Sequence, residues 1–385
     1  MRYGLSDDTW GKEELNAAHK VIDSGRYTMG AYVKEYEKKF AGIFGSKYVV
    51  MTNSGSSSNL LMIAAMIYSG KLQRGDEVLV TAVSWSTTYF PLSQMGLKIR
   101  FIDIDDSLNI NPELIEKAIT SETKAIMCVN LLGNPNDYSK IQEIADKHNL
   151  FILEDNCESM GAMYGGKYAG TFGLISSFST YFSHHLCTME GGVCLTDSEE
   201  LYHFMLAIRA HGWTRQLPYD SSIYRKNDNS FYESFNFIVP GFNLRPLEIE
   251  AATGLAQLDK LEKFIDIRRQ NHGYFAEKIK EKTNFIIQRE IGRSSWFGFA
   301  LVLPENEAGM RNKYIETLTN NGIETRPIVA GNFTKQKALM YMDYSIYGEL
   351  NHADYIHDNG FFVGNHSSEM KELIDLLVDT LRNVR

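Results

Sequence analysis

Four groups of residues in this chain have the chemistry to bind and act on a small molecule. Asn53 to Asn59 reads NSGSSSN before an apolar, helix-favouring run, and glycine and hydroxyl groups at a helix N-terminus bind anions through backbone N–H groups. Trp85 and Asp155 each follow a predicted strand, and His185 follows another. Because imidazole transfers protons near neutral pH, these residues predict an anion-binding site with a proton carrier beside it.

Each of these signals also has a simpler interpretation. The serine-rich segment could cap its helix without a ligand, since serine caps are common. Trp85 could be a core residue, and the acidic strand end at Asp155 could face solvent. His184 is interpreted as structural. The order and spacing of the motifs together favour a shared site.

Alternating strands and helices must position these residues. Such alternation favours right-handed βαβ units and a largely parallel sheet, with ligands at the carboxyl ends of the strands. Asp155, Trp85 and His185 all fall at such ends. The predicted strands of this part are 77–83, 98–104, 124–130, 150–153, 174–182 and 193–196.

The length of 385 residues predicts two domains. We expect a large domain over residues 1–245, followed by a linking helix and a small C-terminal domain over residues 246–385. Strands are predicted in the small domain at 296–303 and 324–329.

Charge and cysteine usage exclude some classes of partner. With 39 basic and 48 acidic residues, the net charge of −9 argues against nucleic acid and anionic membranes as partners, so an anionic substrate needs a local basic pocket. No signal peptide or membrane-spanning run is apparent. The four cysteines form no C-x-x-C pair, so we expect neither a metal site nor disulfides, and a cytoplasmic protein.

In their order and spacing, the motifs resemble those of the fold-type-I aminotransferase superfamily, in its branch of sugar aminotransferases and dehydratases that use pyridoxal phosphate. Leu153 to Ala162 is similar to the family's E-D-x-x-x-x-x-G-A, and Pro240 to Pro246 to its G-x-N-x-R. Ser179 to Gly192 resembles the loop F-S-F-x-x-x-K followed by G-E-G-G. The resemblance implies an α/β fold, with a mostly parallel mixed sheet flanked by helices and a smaller C-terminal α/β domain.

The resemblance also implies residues that bind the cofactor phosphate. Gly55 and Ser56 match the family's phosphate-binding turn at the start of the first helix. Thr180, five residues before His185, matches a phosphate-binding serine and keeps the hydroxyl. Asn243 matches an asparagine that reaches the phosphate in the neighbouring subunit's site, which implies a homodimer with shared sites.

Three further residues match positions that contact the cofactor ring. Trp85 would stack on the pyridine. Asp155 would pair with the pyridine nitrogen, since a close anion favours the protonated, electron-withdrawing ring. Glu158 would reach the ring hydroxyl. Arg245 and Arg326 are candidate clamps for substrate carboxylate or phosphate groups, because guanidinium binds such groups in a bidentate way.

His185 is interpreted as the residue at the position of the family's lysine, which binds the cofactor covalently. Imidazole can carry a proton but cannot hold the aldehyde, so the cofactor would stay bound as the free amine, pyridoxamine phosphate. That arrangement favours dehydration over amino transfer. The family has a small dehydratase branch that removes the C3 hydroxyl of nucleotide-linked 4-keto-6-deoxyhexoses.

Two kinds of enzyme are known in that branch. One acts on a CDP-sugar and carries an iron–sulfur cluster; the other acts on a GDP-linked 4-keto-6-deoxymannose and regenerates the amine from glutamate. The spread of the cysteines favours the second kind. Two alternatives stay open: an aminotransferase that uses another lysine or whose native lysine was altered, and a non-catalytic sensor with the same fold.

Overall fold

The computed structural model describes residues 2–384. The strands are Tyr48–Thr52 (β1), Glu77–Thr81 (β2), Lys98–Ile102 (β3), Thr123–Val129 (β4), Phe151–Asp155 (β5), Met163–Tyr164 (β6), Lys167–Tyr168 (β7), Ile175–Ser179 (β8), Gly192–Thr196 (β9), Ile286–Ile287 (β10), Gly298–Val302 (β11), Tyr344–Ile346 (β12) and Gly360–Gly364 (β13). The helices are Lys12–Ser24 (α1), Ala31–Phe44 (α2), Gly55–Tyr68 (α3), Ser86–Gln94 (α4), Pro112–Ala118 (α5), Tyr138–His148 (α6), Glu199–Arg209 (α7), Ser230–Glu233 (α8), Glu248–Leu258 (α9), Leu261–Lys282 (α10), Arg311–Asn320 (α11), Asn351–Asn359 (α12) and Lys371–Arg382 (α13).

An eight-stranded sheet forms the centre of the molecule, in the order β1-β9-β8-β5-β4-β2-β3-β12. All neighbouring strands are parallel except β9, which is antiparallel to both β1 and β8. Strands β2 and β4 are parallel neighbours joined through α4, β3 and α5, as βαβ units require. The predicted α/β fold with a mostly parallel mixed sheet is confirmed.

Local sequence explains where the helices next to the sheet begin. Asn111 caps α5 by accepting a hydrogen bond from the Glu113 N–H, and Pro112 occupies the first helical position. Ser54 caps α3 by accepting from the Ser57 N–H. Helix α3 is apolar almost all round because it packs on both the sheet and α7.

A smaller antiparallel sheet, β10-β11-β13, packs against α10, α11 and α13 around a second hydrophobic core. The predicted strand over 324–329 is wrong. Only single bridges occur near it, from Ile323 to Tyr3 and from Arg326 to Phe362. Pro327 offers no N–H and Val329 has a positive φ of 50°, so the segment cannot continue a ladder.

Two contacts bear on the division of the chain at residue 245, which stays a prediction. Strand β12, from the C-terminal part, pairs in parallel with β3 at the edge of the large sheet. Tyr3, at the other end of the chain, is fully buried in the core of the small sheet. The two ends of the chain are therefore interleaved.

Candidate active site

A cleft of about 1090 Å³ opens between the carboxyl ends of the large sheet and the C-terminal part of the chain. Its lining comes from the ends of β5 and β8, the first turn of α3 and the turn before α4. The opposite wall comes from the N-terminal residues, the segment around 324–329 and β13. Open parallel sheets bind ligands at this edge.

Asp155 lies at the base of the cleft and is held by three donors. Its Oδ2 accepts hydrogen bonds from Asn59 Nδ2 at 2.9 Å and Thr88 Oγ1 at 2.7 Å, and its Oδ1 accepts one from the Cys157 N–H at 3.1 Å. Asn59 is fixed in turn, since its Oδ1 accepts from Ser177 Oγ. The carboxylate is 5% exposed and therefore rigid. Such a group can hold a cationic ring nitrogen in one place.

The first turn of α3 forms a second fixed part of the cleft. Gly55 packs so closely that an added Cβ would lie 2.5 Å from the Ser179 Cβ and 3.1 Å from the Cys157 Sγ. Ser56 is exposed and also lines the cleft. The first N–H groups of a helix have no partner within it, so this turn is suited to a phosphate group.

Trp85 and Glu158 flank these groups. The Trp85 indole lies just before α4, lines the cleft and is 57% exposed, as a stacking surface must be. Glu158 accepts a hydrogen bond from the Leu132 N–H at 2.9 Å. Burial, and to a lesser degree the charge of Asp155, raise the pKa of Glu158 to about 7. Its carboxyl can thus donate or accept a hydrogen bond near neutral pH.

The two adjacent histidines have different surroundings. His184 lines the cleft. The Nδ1 atoms of both histidines are buried and have no hydrogen-bond partner among residues 2–384, so this feature does not distinguish them. His185 is fully buried outside the cleft lining, with its Nε2 at 3.2 Å from the Ser295 carbonyl oxygen. The Phe297 ring lies beside both imidazoles, with centroids 5.1 Å from His184 and 5.8 Å from His185. The cleft therefore contains the earlier histidine, contrary to the sequence interpretation.

Burial lowers the pKa of His184 to about 4, and the Arg268 charge adds to this; a hydrogen bond with the Cys157 backbone and, less strongly, the Asp155 charge oppose it. The imidazole is neutral at pH 7 and can accept a proton. Burial also lowers the pKa of His185 well below its ordinary value, but this ring faces the protein interior.

The same motif can be counted one residue earlier. The pattern F-S-F-x-x-x-K, counted from Phe178 and Ser179, puts the lysine at His184 and the phosphate-binding serine at Ser179. Ser179 lines the cleft next to Gly55. Thr180 does not; it is fully buried, and its Oγ1 lies 2.6 Å from the Thr188 Oγ1. The lining of the cleft therefore favours His184 and Ser179 over His185 and Thr180 at these two positions.

The remaining predicted residues divide between this cleft and the outer surface. Arg326 lines the cleft and is exposed. Asn243 is exposed outside this cleft, and its Oδ1 accepts a hydrogen bond from Arg245 Nε at 2.9 Å. Sequence reasoning did not single out Arg2, Glu324 or Ser179, which also line the cleft.

The residues of the cleft fit pyridoxal phosphate or its amine form. The start of α3 at Gly55, which has no room for a Cβ, offers backbone N–H groups, Asp155 offers a fixed anion, and Trp85 offers a flat face. His184 places an imidazole in the lining of the cleft. Among residues 2–384, no lysine lines the cleft.

The chain matches the DegT/DnrJ/EryC1/StrS aminotransferase family over residues 8–382, and it belongs to this family. It is 53% identical to the GDP-4-keto-6-deoxy-D-mannose 3-dehydratase of Yersinia pseudotuberculosis, over 99% of this chain and 98% of that protein.

Solved structures give the same picture. A GDP-4-keto-6-deoxymannose-3-dehydratase with a trapped PLP–glutamate geminal diamine superimposes with a TM-score of 0.97 at 50% identity, covering 98% of this chain and 100% of that one. A variant of such a dehydratase with one histidine replaced by asparagine holds GDP-perosamine (TM-score 0.96, 50% identity, 98% and 100% coverage). Another has a serine and the histidine after it replaced by asparagine and lysine (TM-score 0.96, 49% identity, 97% and 100% coverage).

Within residues 2–384, no helix has both the length and the apolar character needed to cross a membrane.

Proposed function

We propose that this chain is a dehydratase that removes the C3 hydroxyl of GDP-4-keto-6-deoxy-D-mannose. It uses pyridoxamine phosphate, which glutamate regenerates with release of 2-oxoglutarate. The observation that carries the proposal is the neutral His184 imidazole in a cleft that no lysine lines among residues 2–384. Near-complete coverage of dehydratases at 50% and 53% identity supports it.

When bound, the cofactor supplies an amine that can bond the sugar ketone and a ring that withdraws electrons from the carbon losing a proton. The protein's part is to hold the cofactor in place and to set where protons are bound. Asp155, fixed by Asn59, Thr88 and the Cys157 N–H, would keep the ring nitrogen protonated. Trp85 would stack on the ring, and the start of α3 with Ser179 would bind the phosphate.

His184 is the acid and base of this proposal. With a pKa near 4 its imidazole is neutral at pH 7 and can accept a proton, and the resulting imidazolium is a strong acid that can protonate the departing C3 hydroxyl. A histidine cannot hold the cofactor aldehyde covalently, so the amine stays free. The Ser–His pair replaced in a solved dehydratase variant has one counterpart in this sequence, Ser183-His184.

The net reaction balances. Glutamate gives up two electrons and its nitrogen, which leaves as ammonia, and C3 of the sugar is reduced from an alcohol to a methylene. The product lacks one oxygen atom of the substrate. The bound glutamate adduct and GDP-perosamine in the solved dehydratases support these two ligand classes.

We propose that Asn243 and Arg245 act at the active site of a second subunit. Both lie outside this chain's own cleft, and Asn243 is exposed on the strand-like segment that bridges Ala210. This position suits a side chain that completes the phosphate site of a partner copy. The chain would then act as a homodimer in the cytoplasm, without nucleic acid or membrane partners.

Two alternatives predict different covalent chemistry. An aminotransferase needs a lysine at the cofactor, but Lys167, the candidate downstream of Asp155, lies exposed at the start of β7 and outside the cleft lining. A non-catalytic sensor would not need the three hydrogen bonds that hold the Asp155 carboxylate in place.

Borohydride reduction followed by intact-protein mass spectrometry tests the proposal. The wild-type protein, loaded with pyridoxal phosphate, should gain no cofactor mass, whereas His184→Lys should gain one cofactor equivalent. His185→Lys is the matched control and should gain none. Labelling of the wild type would favour an aminotransferase. Failure to release ammonia and the deoxygenated sugar from substrate plus glutamate would favour a sensor.

A further inference from the structure

The wall of the cleft opposite the sheet is built from the start of the chain. Arg2, Gly4, Leu5 and Ser6 all line the cleft beside Glu324 and Arg326. We call residues 2–8 the N-terminal strap.

The N-terminal strap is held in place along its length. The Tyr3 N–H donates to the Gly322 carbonyl, the Glu324 N–H donates to the Tyr3 carbonyl, both at 2.9 Å, and the buried Tyr3 hydroxyl donates to the Gly364 carbonyl at 2.6 Å. Asp7 accepts from the Ser367 N–H and hydroxyl. The strap is thus a fixed part of the wall.

Gly364, at the end of β13, lies in very close contact with the strap. An added Cβ at this position would lie 2.2 Å from the Leu5 carbonyl oxygen, so only glycine lets the strap run this close to the end of β13. His366 adds a contact, with its Nε2 at 2.8 Å from the Gly4 carbonyl oxygen. The chain's own packing therefore depends on the strap lying along the cleft.

The strap brings a cation to the cleft. Arg2 Nη2 donates to Glu324 Oε1 at 2.5 Å, and the Arg2 side chain remains 79% exposed. A guanidinium has five N–H donors, so this ion pair leaves most of them free. Arg326, two residues beyond Glu324, lines the same wall. The hydrogen bond from Arg2 is the main cause that lowers the pKa of Glu324, and the charges of Arg2 and Arg326 lower it further.

These two residues are the only arginines or lysines lining the cleft within residues 2–384, where four carboxylates, those of Asp155, Glu158, Glu190 and Glu324, also line it. A nucleoside diphosphate carries at least two negative charges and cannot bind such a cleft without cations. Because Arg2 is at the exposed rim while Asp155 and His184 lie deeper, it faces the part of the substrate far from the reacting carbon.

We infer that Arg2 and Arg326 form a diphosphate subsite for the nucleotide-sugar substrate, with the N-terminal strap fixing Arg2 in the cleft wall. This inference rests on the proposed function and adds to it a substrate-binding role for the start of the chain. The subsite predicts that Arg2 acts on nucleotide affinity and leaves the reaction with glutamate unchanged.

Titration calorimetry with GDP on the cofactor-loaded protein tests this inference. We expect Arg2→Ala to weaken GDP binding about tenfold, and Arg2→Ala combined with Arg326→Ala to weaken it more. Arg2→Lys should recover part of the affinity. The matched control is Arg289→Ala, since Arg289 is also an exposed arginine paired with a carboxylate, Asp105 at 2.8 Å, but outside the cleft lining. It removes the same charge and should bind GDP like the wild type.

A second measurement separates the diphosphate from the carboxylates of glutamate. The absorbance change as glutamate converts the bound aldehyde form of the cofactor to the amine should have the same rate in Arg2→Ala as in the wild type. A slower rate with unchanged GDP affinity would show that Arg2 binds the substrate glutamate and not the diphosphate, and would overturn the subsite. Equal GDP affinity in Arg2→Ala and the wild type would overturn it too, while leaving the proposed function intact. A wild-type protein that binds no GDP would overturn both.

Discussion

The floor and the rim of the cleft are built in opposite ways. The floor consists of Gly55, Asp155, Glu158, Ser179 and His184, and the rim of Arg2, Trp85, Glu324 and Arg326. At the floor, the Asp155 carboxylate is buried and its oxygens accept three hydrogen bonds within the fold. At the rim, Trp85 and the Arg2 side chain are more than half exposed.

This difference separates two tasks. Groups that stabilise developing charge act best when they are fixed before the ligand arrives, as Asp155 is. Groups that recognise a large anionic substrate need open donors and an approach from solvent, as at Arg2. Substitutions in the floor should therefore affect turnover, cofactor retention and stability, as should substitution of Trp85, the rim residue assigned to the cofactor ring. Substitutions of the rim arginines should mainly affect substrate affinity.

The largest effect should come from His184. We expect His184→Asn to lower kcat by about 10²–10⁴-fold, because asparagine has a similar size but carries no proton between the cofactor and the leaving hydroxyl. The control is His185→Asn, whose ring is outside the cleft lining; its kcat should fall less than tenfold. Steady-state assays of 2-oxoglutarate and deoxysugar formation measure both. The opposite ranking would return the catalytic role to His185.

Asp155→Asn should have the next largest effect. The amide removes the charge opposite the ring nitrogen and turns an N–H₂ group toward the donors Asn59 or Thr88, which leaves a buried donor unsatisfied. We expect kcat to fall on the order of 10²-fold and the free energy of unfolding to fall by about 1–3 kcal/mol. Asp137→Asn, which changes the cap of α6 outside the cleft lining, should leave turnover unaltered. A fully active Asp155→Asn enzyme would remove this residue from the mechanism.

Gly55→Ala tests the close packing of the floor. A Cβ 2.5 Å from the Ser179 Cβ must push the start of α3 away from the end of β8, at a cost of about 1–3 kcal/mol in the free energy of unfolding. Retention of cofactor during gel filtration should fall as well. Gly42 in α2 is the matched control, because nothing lies within 4 Å of an added Cβ there. Gly42→Ala should keep the cofactor and be as stable as the wild type or slightly more stable.

Glu158 gives the floor a pH signature. Its pKa is raised from 4.5 to about 7, so the folded protein favours the protonated carboxyl and loses stability as the pH rises from about 4.5 to about 7. Glu158→Gln removes this loss. In thermal unfolding of the cofactor-free protein, the stability of the variant relative to the wild type should rise across this interval, by about 3 kcal/mol once the pH is above 7. A pH-independent difference would contradict the raised pKa.

The sequence predicted the parts of the fold that local signals determine. The apolar run after residue 59 indicated most of α3, whose first turn starts earlier at Gly55. The start of α5 is of the same kind, since it follows from the neighbouring residues Asn111 and Pro112. The acidic strand end at Asp155 indicated where the floor lies. These features depend on neighbours in the chain, so a single sequence contains them.

Two features of the site could not be predicted from neighbouring residues in the chain. Arg2 meets a partner more than 300 residues away, Glu324, through packing of the two ends of the chain, which leaves no local pattern. The two histidines are adjacent and of the same type, so residue chemistry does not distinguish them, whereas the structure places only His184 in the cleft lining. The motif counted from Phe178 is the one sequence signal that favours His184.

The smallest effect on stability should come from the rim. Arg2→Ala breaks an ion pair with a side chain that is 79% exposed, and such pairs stabilise proteins little because water and salt screen them. We expect its melting temperature to stay within about 2 °C of the wild type. Tyr3→Ala, one residue along, removes a fully buried ring and its hydrogen bond to Gly364 and should lower the melting temperature strongly. If Arg2→Ala were as destabilising as Tyr3→Ala, the arginine would serve to anchor the strap, and the contrast between a structural floor and a recognition rim would not hold there.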